Sequence, residues 1–243
     1  MSRWLAFDSS TDVLSIGLAV DGHVALRTLP GGAQASATLI PQVMALLAEA
    51  GLTLAQLDAI AFGRGPGSFT GLRTACAVAQ GLAFGADRPV LPVDTLLAVA
   101  ETAREQLQRG GQVAGPCRVL AVLDARMDEV YSATWFWDGA QWSADTPLQV
   151  CAPQDLPAPA PGTWLAGNAA AVYAGRLPTG VPTLQALPEA AALLRLAPRL
   201  WAQGLAVPAE QAMPLYVRDK VAQTTAEREA VRTAGPLPRA EGA

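Results

Sequence analysis

Two stretches of the chain share one rhythm of apolar and polar positions. Arg3-Trp4-Leu5-Ala6-Phe7-Asp8 is an apolar run closing on an aspartate; alternation through Leu14, Ile16 and Leu18 comes next, then the turn signal Asp21-Gly22 and a run from Val24 to Leu29. Arg118-Val119-Leu120-Ala121-Val122-Leu123-Asp124 repeats the opening, and an alternating stretch from Val130 to Trp137 leads to Asp138-Gly139. A period of two places successive side chains on opposite faces of a strand, and Asp-Gly supplies the left-handed angles of a tight hairpin. Each stretch therefore predicts a three-strand meander.

The repeat extends beyond each meander. After the first come helical spacing from about residue 38 to 50, a strand at Ala59–Gly63, a glycine-rich loop, a helix at Phe69–Phe84 and a strand at Pro89–Val93. After the second come a strand at Thr163–Ala166, a turn at Gly167-Asn168 and helical stretches at Ala169–Tyr173 and Pro188–Gly204. Strands alternating with helices imply parallel crossovers, so the pattern predicts a duplicated α/β fold in which each unit is a mixed sheet flanked by helices. The units are expected over residues 1–103 and 117–218, divided by the Gly110-Gly111 to Gly115-Pro116 segment. Apolar periodicity stops beyond Arg218, and residues 219–243 are expected to form a mobile tail.

The two helices around the glycine-rich loop carry more apolar surface than a sheet needs. Leu39, Ile40, Val43, Met44, Leu46 and Leu47 occupy two adjacent rows of the first. On the second only Arg73 and Gln80 are strongly polar, and Gly71, Thr74, Ala75, Ala77, Val78 and Gly81 make a nearly smooth surface. A helix apolar almost all round must be covered on more than one side, by the chain's other half or by another subunit. The expected subunit contact comprises Leu39, Ile40, Val43, Met44 and Leu47 with Gly71, Thr74, Ala75, Val78 and Gly81.

Composition narrows the function classes. The 243 residues are 51% hydrophobic and 16% charged with a net charge of −4, enough apolar material for one large core or two small ones. Lys220 is the single lysine among 17 basic residues, and the thinly spread arginines leave no electrostatic footprint for gripping a phosphate backbone, so a nucleic-acid role would run through a partner. One histidine, His23, excludes mechanisms needing two imidazoles, and Cys76, Cys117 and Cys151 form no C-x-x-C pair. Neither a span-length apolar run nor a basic-then-apolar leader is present, so a soluble cytoplasmic protein is expected.

Candidate chemistry concentrates in Gly63-Arg64-Gly65-Pro66-Gly67-Ser68-Phe69-Thr70-Gly71-Leu72-Arg73. Alternate glycines around a proline make a rigid turn, and Ser68 can cap a helix starting at Phe69. The loop is either a structural strand-to-helix turn or an anion site at a helix N-terminus with Arg64 and Arg73 nearby. It lacks the Lys-Ser/Thr pair of a P-loop, and Ser68 does not sit in a G-x-S-x-G elbow. The aspartates closing the two opening strands have the place of phosphate-binding aspartates in actin-like ATPases. The first continues Ser9-Ser10-Thr11 without a glycine, however, and the second continues Ala125-Arg126-Met127, with a cation where a metal would want carboxylates. No catalytic, cofactor or metal residues are therefore assigned; an independent small-molecule kinase of the same fold is the alternative.

Leu5-Ala6-Phe7-Asp8-Ser9-Ser10-Thr11, the glycine-rich stretch from Phe62 to Arg73, Ala79-Gln80-Gly81-Leu82, Asp124 to Tyr131 and Pro214-Leu215-Tyr216-Val217-Arg218 together resemble the TsaB (YeaZ) family, over roughly Arg3 to Arg218. The resemblance implies a duplicated actin-like fold of the ASKHA superfamily and a non-catalytic accessory role in forming threonylcarbamoyladenosine next to the tRNA anticodon. It implies TsaD, which holds the metal and transfers the threonylcarbamoyl group, as partner. TsaE joins them, and a second copy of the chain replaces TsaD when TsaD is absent. It further implies that no cofactor is held by the chain alone, although a nucleotide can be shared at the interface with TsaD. The paired histidines of the catalytic relative are missing, and the histidine many family members carry before the first helix corresponds to Ala35 here. The loop residues Arg64, Gly65, Pro66, Gly67, Ser68, Phe69 and Arg73 are expected to shape the partner surface.

Overall fold

The computed structural model describes residues 2–218; the expected tail lies outside the described residues. Strands β1 (Arg3–Asp8), β2 (Val13–Val20) and β3 (His23–Pro30) form the first meander, with Asp21 and Gly22 at φ 51° and 90° in the left-handed turn that matches strand twist. Helix α1 (Ala35–Glu49), strand β4 (Ala59–Gly65), helix α2 (Phe69–Ala86) and strand β5 (Val90–Asp94) come after it. The sheet runs β3-β2-β1-β4-β5, antiparallel within the meander and parallel from β1 through β4 to β5.

Helix α3 (Thr95–Arg109) comes next and runs past residue 103; it corresponds to no element expected from the sequence. Strands β6 (Cys117–Arg126), β7 (Glu129–Trp137), β8 (Trp142–Ala144) and β9 (Gln149–Cys151) build the second meander, both short strands pairing with β7. Strand β10 (Thr163–Gly167), helix α4 (Ala169–Tyr173), strand β11 (Thr183–Leu184) and helix α5 (Ala190–Ala202) complete the order. The second sheet runs β11-β10-β6-β7-β8. Taken from the meander edge, its order and directions repeat those of the first, so the fold is a duplicated actin-like one.

Packing crosses between the two halves of the sequence. On one face of the first sheet, Leu39, Val43, Leu46 and Leu47 of α1 and Ala75, Cys76 and Ala79 of α2 bury against Leu5, Phe7, Leu14, Ile16 and Phe62. Its other face is covered from the second half, by Leu193, Leu194, Leu196 and Ala197 of α5 against Trp4, Ala6 and Ala61. Conversely α3, from the first half, sends Leu96, Val99, Ala100 and Ala103 onto Val119, Ala121 and Leu123 of the second sheet. Glu101, at the centre of α3, is fully buried. It accepts hydrogen bonds from Arg104 (2.8 Å), Arg195 of α5 (2.7 Å) and the Trp142 indole N–H (3.0 Å). Burial alone would raise its pKa, yet these donors hold the carboxyl below its ordinary value.

After α5 the chain returns to the first half. Val207 bridges to Val90, Ala209 and Ala212 enter the first core, and the Ala212 carbonyl accepts from Cys76 Sγ (3.3 Å) and Gln80 Nε2 (2.8 Å) of α2.

Candidate functional site

The parallel strands β1 and β4 end side by side, so the β1–β2 turn and the glycine-rich loop meet at the sheet's C-terminal edge. The glycines are there for close approach. A Cβ at Gly63 would lie 1.7 Å from Asp8 Oδ2, and one at Gly71 1.8 Å from the Ser9 carbonyl oxygen. The Ser9 hydroxyl donates to the Gly71 carbonyl (2.8 Å), and the Ser68 N–H to the Ser10 carbonyl (2.7 Å). The loop thus wraps the first turn, with a cis peptide at Gly65-Pro66.

Asp8 is fully buried; its Oδ1 accepts from the Ser10 N–H (2.8 Å) and hydroxyl (2.6 Å), while Oδ2 has no hydrogen-bond partner. Burial outweighs the Ser10 hydrogen bonds and pushes its carboxyl up to about 6.

Between the two halves lies a cleft of about 410 Å³, walled by the β1–β2 turn, Pro66–Phe69, the β6–β7 turn, α4 and the final segment Leu215–Arg218. The two phosphate-loop positions face each other here, but Arg126 lies between them, 3.0 Å from Asp12 and 3.2 Å from Asp124. Asp124 also accepts from the Tyr173 hydroxyl (2.8 Å), and its backbone N–H donates to Asn168 (2.9 Å). Arg126 pairs with Asp124, the carboxylate of the second phosphate position, while Asp8 of the first is fully buried and does not line the cleft, so the residues present do not fit a magnesium nucleotide. Among the described residues no group of three or more His, Cys, Asp or Glu could hold a metal ion.

The arginines near the loop do not converge on an anion. Arg64 turns away from the cleft and pairs with Asp94 at 2.5 Å. The Arg73 guanidinium stacks 3.7 Å over the Phe69 ring and donates to the Tyr216 hydroxyl at 3.0 Å. Ser68 occupies the N-cap position of α2, but its hydroxyl makes no cap hydrogen bond, contrary to expectation. His23 opens β3 at the opposite end of the sheet, so no imidazole reaches Ser68 and no serine–histidine pair is assembled. Cys76 and Cys117 are buried, Cys151 is half-buried, and all three are free thiols raised by burial.

The expected partner surface divides in two. Leu39, Val43, Leu47 and Ala75 are buried in the chain's own first core, and Gly71 is pressed on Ser9, so these five are not surface residues. The sheet needed one full row of each helix, which the count of apolar positions alone could not assign. Thr74 and Val78 are half-buried. The outward row consists of Ile40 (44% exposed) and Met44 (47%) on α1, with Ala77, Gly81, Phe84 (79%) and Gly85 on α2. Nothing lies within 4 Å of a Cβ built on Gly81 or Gly85, so this part of α2 is open to close approach.

Residues 32–158 match the family model described as TsaD: tRNA N6-adenosine threonylcarbamoyltransferase. The chain is 35% identical over 228 residues to the tRNA threonylcarbamoyladenosine biosynthesis protein TsaB of Haemophilus influenzae, covering 89% of this chain and 94% of that one. The TsaB of Escherichia coli K12 is 34% identical over 230 residues, covering 90% and 96%. The solved structure of YeaZ from Pseudomonas aeruginosa superposes with a TM-score of 0.80 at 39% identity, over 89% of this chain and all of that one. Similarity of this extent in both sequence and fold means that the chain belongs to the TsaB (YeaZ) family.

Proposed function

We propose that the chain is a non-catalytic accessory subunit in the formation of threonylcarbamoyladenosine in tRNA. In this reading it docks on the transferase TsaD through the outward row of α1 and α2 and supports that enzyme's activity, with TsaE as the third component. The observation that carries the proposal is the exposed apolar row itself: Ile40, Met44 and Phe84 stand on a surface that the chain's second half leaves open, beside glycines with clear space above them. Apolar rows of this kind on facing helices are what a helix-to-helix subunit contact requires. The same row serves a second copy of the chain when TsaD is absent, and a cytoplasmic location fits the partners.

The cleft supports the non-catalytic part. Arg126 occupies the Asp124 carboxylate that a phosphate-metal pair would use, and no observation favours the kinase alternative. A nucleotide in this account belongs to the joint surface with TsaD.

The direct test is Ala77→Arg, which places a charge on the outward row without entering the core; Val78 is unsuitable because it packs partly against that core. The variant is expected to keep the wild-type melting temperature while its affinity for TsaD falls about tenfold or more in calorimetric titration. Unchanged affinity would place the contact elsewhere.

A further inference from the structure

We propose that residues 212–218 form a strap that couples the cleft to the N-terminal end of α2. The segment has no regular structure and is anchored at both ends to different halves of the molecule. On the first half, Ala212 is held by Cys76 and Gln80, the Leu215 N–H donates to the Arg64 carbonyl (2.7 Å), and the Leu215 carbonyl lies against Gly65. Tyr216 then packs on Phe69 with ring centroids 5.5 Å apart and accepts from Arg73. On the second half, Val217 joins the core of the second sheet. Arg218 donates to the Ala125 carbonyl (3.2 Å) and pairs with Glu129, on either side of the β6–β7 turn.

Two features make this a coupling element rather than passive packing. Leu215 and Arg218 are three residue steps apart and can span at most about 11 Å when extended, so a widening of the cleft that carries their partners beyond that reach must break an anchor. The turn it grips is also strained: Arg126, Met127 and Asp128 are consecutive non-glycine residues at φ 60°, 54° and 64°. Left-handed angles persist at such residues only where the surroundings impose them; Arg218 from the strap and Asp12 from the first half hold the turn here, together with Arg176 on Asp128 and the Asp124 carboxylate on the Arg126 N–H within the second half. Tyr216 and Phe69 are 47% and 41% exposed, and the Arg73 guanidinium touches both residues. Their separation would release the first turn of α2, where Arg73 is held. The cleft and that end of α2 therefore change together.

Amide hydrogen exchange on the full chain tests the coupling without any partner, so its outcome is independent of the docking proposal. Arg218→Ala cuts the strap at the second half. It is expected to speed exchange about fivefold in residues 125–129 and also, across the cleft, in residues 64–73, with α5 unchanged. Tyr216→Ala, whose ring is half exposed, should show the reciprocal effect at 125–129 and serves alone if Arg218→Ala fails to fold. Deprotection confined to the mutated end, absent altogether, or spread equally through α5 would overturn the proposal.

Discussion

Asp8 shows how much a single buried side chain can weigh. Its pKa is raised from 3.8 to about 6, so the stability it contributes is complete below about pH 3.8 and is lost as pH rises through about 6. Above that range the buried carboxylate, with Oδ2 unpartnered, costs roughly 2 to 3 kcal/mol. Asp8→Asn is expected to recover most of that at pH 8 and little at pH 4; urea unfolding of both proteins across this range reads the difference directly. Two glycines of α2 make an opposite pair. Gly71→Ala forces a Cβ into the Ser9 carbonyl and should destabilise by about 2 kcal/mol or more, whereas Gly81→Ala meets nothing and should stabilise by roughly 0.5 to 1 kcal/mol. Denaturant midpoints distinguish the two. From the sequence both glycines looked like parts of one smooth surface. Their separation is a matter of which backbone occupies the space opposite, and for Gly71 that backbone is 62 residues away in the chain.

At the scale of elements, strands and hairpins were the most legible, because alternation, Asp-Gly turns and apolar runs are all local signals. The outer helices were legible to within a few residues for the same reason. Helix α3 was not. Its apolar and polar residues do segregate by face, so a helical period was there to be read; what no local pattern announces is that Leu97 and Ala98 bury against the first sheet while Leu96, Val99, Ala100 and Ala103 bury against the second. Glu101, which among these apolar residues reads as a solvated position, is instead the buried acceptor joining α3, α5 and β8. Glu101→Ala strands the charges of Arg104 and Arg195 and should cost about 3 to 5 kcal/mol in thermal or denaturant unfolding, with loss of protection in both α3 and α5. The strap was equally hidden, since an extended segment that finds its partners one residue at a time carries no period. The candidate site was therefore legible in its loops and helices but not in which side of each helix faces out.

For the molecule as a whole, the duplicated fold retains the architecture of a nucleotide-binding protein while its cleft is bridged by Arg126 and bounded by the C-terminal strap. Ile40 and Met44 of α1 and Phe84 of α2 stand apolar and exposed on the helical face of the first half. A helical face that carries exposed apolar residues is what an accessory subunit needs: a stable platform whose effect on chemistry is exerted through the partner. The most direct measurement is reconstituted tRNA modification with TsaD and TsaE, with the chain omitted, added as wild type, or added as Ala77→Arg. Modification is expected to depend on the wild-type chain, Ala77→Arg to restore little of it, and the chain alone to modify nothing. Full activity with Ala77→Arg, or turnover by the chain by itself, would contradict the accessory role.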